Sequence, residues 1–180
     1  MIELQFVLGS GLSSQLIAWW GSGYGGYSHV DSVLNDGSLI GARSDNPGGH
    51  GRGVRRRPPN YEKWKRIYRI ALPCTDQQYN DWETYLISQV GDAYDEADIV
   101  GLLIGKKLST TGHWICSRLA YNALQVANKL YPSVFDSTQI TPNTLLACCG
   151  SVGGIPINPP APTPTPTPAS VREDPCSPSC

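Results

Sequence analysis

Cys116 is the residue of this chain best placed to do chemistry. It stands in Trp114-Ile115-Cys116-Ser117-Arg118-Leu119-Ala120-Tyr121-Asn122-Ala123-Leu124, where a loop hands over to an apolar helix. A thiolate rather than a thiol attacks a carbonyl carbon, and the unpaired N–H groups and dipole at a helix start favour the thiolate. The same N–H groups can hold the oxyanion of a tetrahedral intermediate. Activation also needs a base, and the chain has three histidines, His29, His50 and His113. His113 lies just before the helix, His50 in a glycine-rich loop and His29 at the start of a strand. Spacing does not choose among them, and a buried structural thiol competes with the catalytic reading.

The elements that must position these residues are legible in the order of the chain. Ile2 to Leu8 alternates and predicts a strand. A short apolar helix is expected over Gln15 to Trp20, then a flexible glycine-rich connection to a strand over Tyr27 to Leu34. Asn35-Asp36-Gly37 is a hairpin turn that returns the chain through Ser38 to Ala42. Further strands are predicted over Gly53 to Pro59 and Trp64 to Leu72. Thr75 opens a helix with Gln78 as its capping-box partner, its apolar face being Tyr79, Trp82, Leu86 and Val90, with Gly91 to end it. An apolar run, Ile99 to Ile104, is too short to span a bilayer. The Cys116 helix is expected to run to about Leu130 with Ile115, Leu119, Ala123, Ala127 and Leu130 buried, closed by Pro132. Ile140 to Leu146 predicts one more capped turn or short helix. These elements divide the chain into a folded domain, 1–156, and a Pro/Thr-rich disordered tail, 157–180.

Composition narrows the function classes. The 180 residues carry a net charge of -1, so no global field draws nucleic acid or anionic membranes. Six cysteines occur without the paired short spacings of a zinc site, and neither a metal nor another cofactor is expected. A disulfide framework is not indicated either, a Cys176–Cys180 bridge in the tail being the one pairing left open. The N-terminus makes a poor signal peptide and no stretch spans a membrane, so a cytoplasmic or virion-associated location is expected.

Four segments together resemble the NlpC-type papain-like hydrolases: Tyr27-Ser28-His29-Val30, Asp36-Gly37-Ser38-Leu39-Ile40-Gly41-Ala42, Gly91-Asp92-Ala93-Tyr94-Asp95 and Cys116-Ser117-Arg118-Leu119. Because the histidine strand precedes the cysteine helix, the order is similar to the circularly permuted branch, which holds bacterial and bacteriophage enzymes and the lecithin retinol acyltransferase group. The resemblance implies an α+β fold, an antiparallel sheet packed against the nucleophile-bearing helix. It also implies that Cys116 is the nucleophile, His29 the base and Tyr94 an oxyanion-side residue. In that family the imidazole is oriented by a polar residue on the next strand. With the hairpin aligned turn to turn, that position is Gly41, which has no side chain. Asp31, two residues from His29 on the same strand face, is one substitute. Ser44, opposite His29 in a two-residue-turn register, is another, and a Cys–His dyad or a weakened site is the third possibility.

The reading that follows is a cysteine peptidase or amidase that cleaves an amide, foremost in peptidoglycan stem peptides. Thioesterase or acyltransferase chemistry on lipid-type substrates is its variant. A virion- or wall-associated binding or structural module that keeps the fold without catalysis is the alternative from another class. Arg52, Arg55, Arg56, Arg57, Lys63, Lys65, Arg66 and Arg69 supply more than half of all Lys and Arg. They read either as a solvated strand face or as a patch for an anionic wall polymer, with no nucleic-acid partner expected.

Overall fold

The computed structural model describes residues 1–9, 26–96, 113–130 and 140–157. The helix expected over Gln15 to Trp20, the run Ile99 to Ile104, Pro132, and the tail with Cys176 and Cys180 lie outside the described residues. The architecture is α+β, an antiparallel sheet with three helices. Strands β1 (Ile2–Leu8), β2 (His29–Val33), β3 (Leu39–Arg43), β4 (Gly53–Arg57), β5 (Arg66–Leu72) and β8 (Ile155–Ile157) form one sheet in the order β4-β3-β2-β1-β5-β8. The two-residue strands β6 (Ala93–Tyr94) and β7 (His113–Trp114) form a separate parallel pair. The helices are α1 (Asp76–Ser88), α2 (Cys116–Val126) and α3 (Pro142–Ser151). None among the described residues is long and apolar enough to cross a membrane.

Period-two alternation gives each strand two faces, and both are used. Ile2, Leu4, Phe6, Val30, Ile40, Ala42, Ile70 and Leu72 face a large core that also holds Trp82 and Leu86 of α1 and Leu119, Ala123 and Leu124 of α2. The opposite face carries a small second cluster of Val33, Leu39 and Tyr61, with Trp64 packed against it. His29 and Asp31 alternate in step with Val33 and so belong to this second face. The segment after β4, which holds Tyr61 and Trp64, folds over it; Trp64 does not begin β5 as expected, which starts at Arg66.

Local signals act as their chemistry dictates. The β2–β3 turn is the three-residue loop Asn35-Asp36-Gly37, closed by the Leu34 N–H to Ser38 carbonyl bond at 2.8 Å, with Gly37 at φ 81°. Only glycine takes that conformation without strain. Thr75 and Gln78 complete the capping box of α1, but Val90 falls beyond the helix and is exposed. Helix α2 ends before Leu130 because Asn128 turns left-handed at φ 53°. The Lys129 N–H to Leu124 carbonyl bond at 2.8 Å and the Asn128 N–H to Gln125 carbonyl bond at 2.9 Å then form a Schellman closure. All five residues expected on the buried face of α2 and its exit are buried. Thr141 caps α3 through the Thr144 N–H. Ile157, assigned from the sequence to the tail, closes β8 against Arg69.

Candidate active site

The β2–β3 ladder is short. Ser32 pairs with Ile40 and Val33 with Leu39, whereas β2 pairs with β1 from Val33 back to His29. The bond between the Leu34 N–H and the Ser38 carbonyl fixes which alternate residues of β2 point their N–H groups at β3, and Val30 is one of them. Beyond Ser32 the strands part, and the Val30 N–H donates to the Cys116 sulfur instead. The start of α2 thus reaches the site through a gap between strands, from the core face toward His29.

Cys116 is the first residue of α2, after Ile115, whose apolar side chain offers no cap. The first-turn N–H groups are therefore left for other acceptors at the site. The turn is pinned by several bonds: Ser117 Oγ donates to the Ile140 carbonyl, Arg118 donates to the His113 carbonyl, and Arg118 pairs with Asp95 at 3.2 Å. Trp114 Nε1 donates to Asp92 at 2.8 Å and draws the Gly91–Asp95 segment alongside.

His29 meets Cys116 on one side and Asp31 on the other. Its Nε2 donates to Asp31 Oδ1 at 2.8 Å, which leaves Nδ1 for the hydrogen bond with the Cys116 sulfur. Cys116 and His29 are each 7% exposed and Asp31 0%. Burial works against the charged ring, but the Asp31 carboxylate and the Cys116 sulfur outweigh it and push the His29 pKa up to about 9. For Cys116 burial favours the neutral thiol, yet the His29 ring and the Val30 N–H overcome it and hold the thiol below its ordinary value. Asp31, also disfavoured by burial, is kept ionised by His29, by the Tyr61 hydroxyl and by the charge of Arg57. The three groups stabilise one another as a thiolate, an imidazolium and a carboxylate.

Gly41 explains how Asp31 fits. A Cβ there would lie 2.0 Å from Asp31 Oδ1 and 3.4 Å from His29 Nε2, so any side chain would occupy the place of the carboxylate. The strand after the histidine strand gives up its side chain, and the histidine strand itself supplies the acid. Of the substitutes expected from the sequence, Asp31 therefore meets the ring. Ser44 does not, because the three-residue turn sets Arg43 rather than Ser44 opposite His29 and leaves Ser44 exposed.

The other expected residues fall as follows. His50 is exposed on the loop after β3. His113 sits in β7, its carbonyl taken by Arg118. Tyr94 pairs with Trp114 across the β6–β7 ladder, beside the entry to α2, and is half-buried against the core. Among the described residues no group of three or more His, Cys, Asp or Glu side chains is arranged to hold a metal ion.

Four further residues close around the site. Tyr61 donates its hydroxyl to Asp31 Oδ2 at 2.9 Å. Trp64 stacks on the His29 ring, centroids 6.1 Å apart at 17°, and meets Tyr61 edge-on at 5.5 Å. Arg43 donates to Tyr61 at 3.3 Å and forks onto Asp45 at 2.7 Å. Arg57, 1% exposed, donates to the carbonyls of Gly41 at 2.8 Å and Gly51 at 2.9 Å. The basic stretch is thus not one solvated face. Arg57 serves the site, and Arg69 is buried against Gln5 and Glu3. Tyr61 and Trp64 stand in no motif; an aromatic pair among lysines after Pro58-Pro59 is their only trace in the sequence.

No protein-family model matches this chain, and no curated protein matches it.

Proposed function

We propose that the chain is a cysteine hydrolase that cleaves an amide bond through an acyl-enzyme, with peptidoglycan stem peptides as the foremost substrate. The observation that carries this reading is the His29 ring held between Cys116 at the start of α2 and the buried Asp31. The resemblance of four segments to permuted NlpC-type papain-like hydrolases supports it and supplies the substrate class.

In this mechanism Nδ1 of His29 holds the thiol proton and the Cys116 thiolate attacks the carbonyl carbon. The carbonyl oxygen becomes an oxyanion facing the first-turn N–H groups of α2, on the side where Tyr94 flanks Trp114. The imidazolium then gives its proton to the leaving amine as the C–N bond breaks, and a thioester remains. His29 next takes a proton from water, whose oxygen attacks the thioester, and the acid product leaves with the thiolate restored. Asp31 keeps Nε2 protonated throughout. The same cycle on an ester or thioester gives the lipid-directed variant.

The test is incubation of the full chain with purified peptidoglycan and mass spectrometry of the released peptides. Release is expected from the wild type and is lost in Cys116→Ala. Release that survives Cys116→Ala would exclude this mechanism, and turnover confined to acyl esters would move the assignment to the lipid variant.

A further inference from the structure

We propose that Tyr61 is a positioning residue of the Cys116–His29 site, its hydroxyl bridging Arg43 and Asp31 and so fixing the carboxylate that orients the imidazole. This rests on the hydrolase reading above and adds a residue to its machinery.

Asp31 is a short side chain on the same strand as the ring it holds, and position 41 offers it no support. Its Oδ1 is taken by His29 Nε2; its Oδ2 receives the Tyr61 hydroxyl at 2.9 Å. Arg43 Nη1 donates to the Tyr61 oxygen at 3.3 Å. An arginine only donates and a carboxylate only accepts, so the direction of every proton is set. Arg43 donates to Tyr61, Tyr61 donates to Asp31, and His29 donates to Asp31 from the other side.

The Tyr61 oxygen also lies 3.4 Å from His29 Nε2. While its proton is held by Asp31, Tyr61 does not compete for the ring, and Nε2 keeps its own proton, so Nδ1 is the nitrogen that exchanges a proton with Cys116. A carboxylate that swung away would let the hydroxyl turn to Nε2. The neutral ring would then carry its one proton on Nδ1, leaving no acceptor there for the proton of the thiol or of the attacking water.

The bridge is itself held firmly. Arg43 is anchored by Asp45 at 2.7 Å and by Glu62 at 2.8 Å, and the Tyr61 ring is wedged against Trp64 and the second-face cluster. Arg57, the other cation facing Asp31, is committed to the Gly41, Gly51 and Gly53 carbonyls, so it supplies charge while Tyr61 supplies direction.

Tyr61→Phe removes the hydroxyl and keeps the ring. Full-length protein is alkylated with iodoacetamide across a range of pH, each cysteine is followed by peptide mass spectrometry, and thermal melting is recorded in parallel. The pH midpoint of Cys116 alkylation is expected to rise by about one unit, so that labelling below it slows about tenfold. Arg43→Lys keeps the charge but loses the fork, shifts the midpoint the same way by less, and carries the test if Tyr61→Phe does not fold. A midpoint that stays in place in the folded variant, with only the melting temperature lowered, overturns the proposal and leaves the hydrolase reading standing. A wild-type Cys116 no more reactive than Cys74 near neutral pH overturns both.

Discussion

Cys116 and Cys149 are both buried helical thiols, and their chemistry runs in opposite directions. Cys149 sits in the last turn of α3, fully buried, and burial with Cys148 beside it pushes its pKa up to about 12. Cys116 is nearly as buried, yet its pKa is held down. Burial therefore makes a thiol inert unless something stabilises the anion. Three features do so at Cys116 and have no counterpart in the environment of Cys149: the positive end of a helix, the Val30 N–H released by the parted strands, and the His29 imidazolium.

Removing the imidazolium should erase most of that difference. In His29→Gln, burial acts on Cys116 opposed only by the Val30 N–H and the helix start, its pKa climbs, and iodoacetamide labelling near neutral pH is expected to slow about a hundredfold. Undiminished labelling would show that the pairing does not activate the sulfur. The variant also has a signature in stability. His29 is raised from 6.5 to about 9, so its contribution is present in full below pH 6.5 and is lost as pH rises through about 9. Asp31 is lowered, so its contribution stands above the ordinary carboxylate range and is lost as pH falls through its own depressed value. The gap in melting temperature between wild type and His29→Gln should accordingly narrow between about pH 6.5 and about pH 9.

A smaller effect is expected from Gly41→Ala. The added methyl would sit 2.0 Å from Asp31 Oδ1, so the carboxylate must leave the ring or the strands must shift. Overpacking of this kind costs about 1–3 kcal/mol of stability, read by denaturant unfolding. Because the displaced group is the acceptor for Nε2, Cys116 alkylation should also move to higher pH, while Cys149 stays unreactive. A variant that loses stability but keeps the Cys116 alkylation profile would mean that Asp31 orients nothing.

How far the sequence reaches is set by how local each signal is. The Asn35-Asp36-Gly37 turn, the Thr75–Gln78 capping box, the alternation of Ile2 to Leu8 and the buried face of α2 are each determined by residues a few positions apart, and each is readable. Asp31 is legible for the same reason, since it shares a strand face with His29 at a spacing of two. Tyr61 and Trp64 are not, because they reach the ring by a chain path of some thirty residues that no periodicity encodes. Arg57 and Arg69 look like surface charge because a sequence shows a cation but not the carbonyls and acids on neighbouring strands that receive it. Strand β8 is hidden by Pro156, which an edge strand tolerates because one of its sides needs no partner.

The smallest effect belongs to Cys149 itself. Cys149→Ala removes a fully buried sulfur from the core on which α2 and α3 pack, leaving a small void in place of its contacts. The expected cost is about 1 kcal/mol of unfolding free energy. It should leave the pH profile of Cys116 alkylation unchanged, because Cys149 contributes nothing to the charges that act on Cys116. A shift in that profile would mean that the α3 packing behind α2 helps set the angle at which Cys116 meets His29. The distinction between an apolar thiol that fills space and a thiolate that is held in place would then be one of degree.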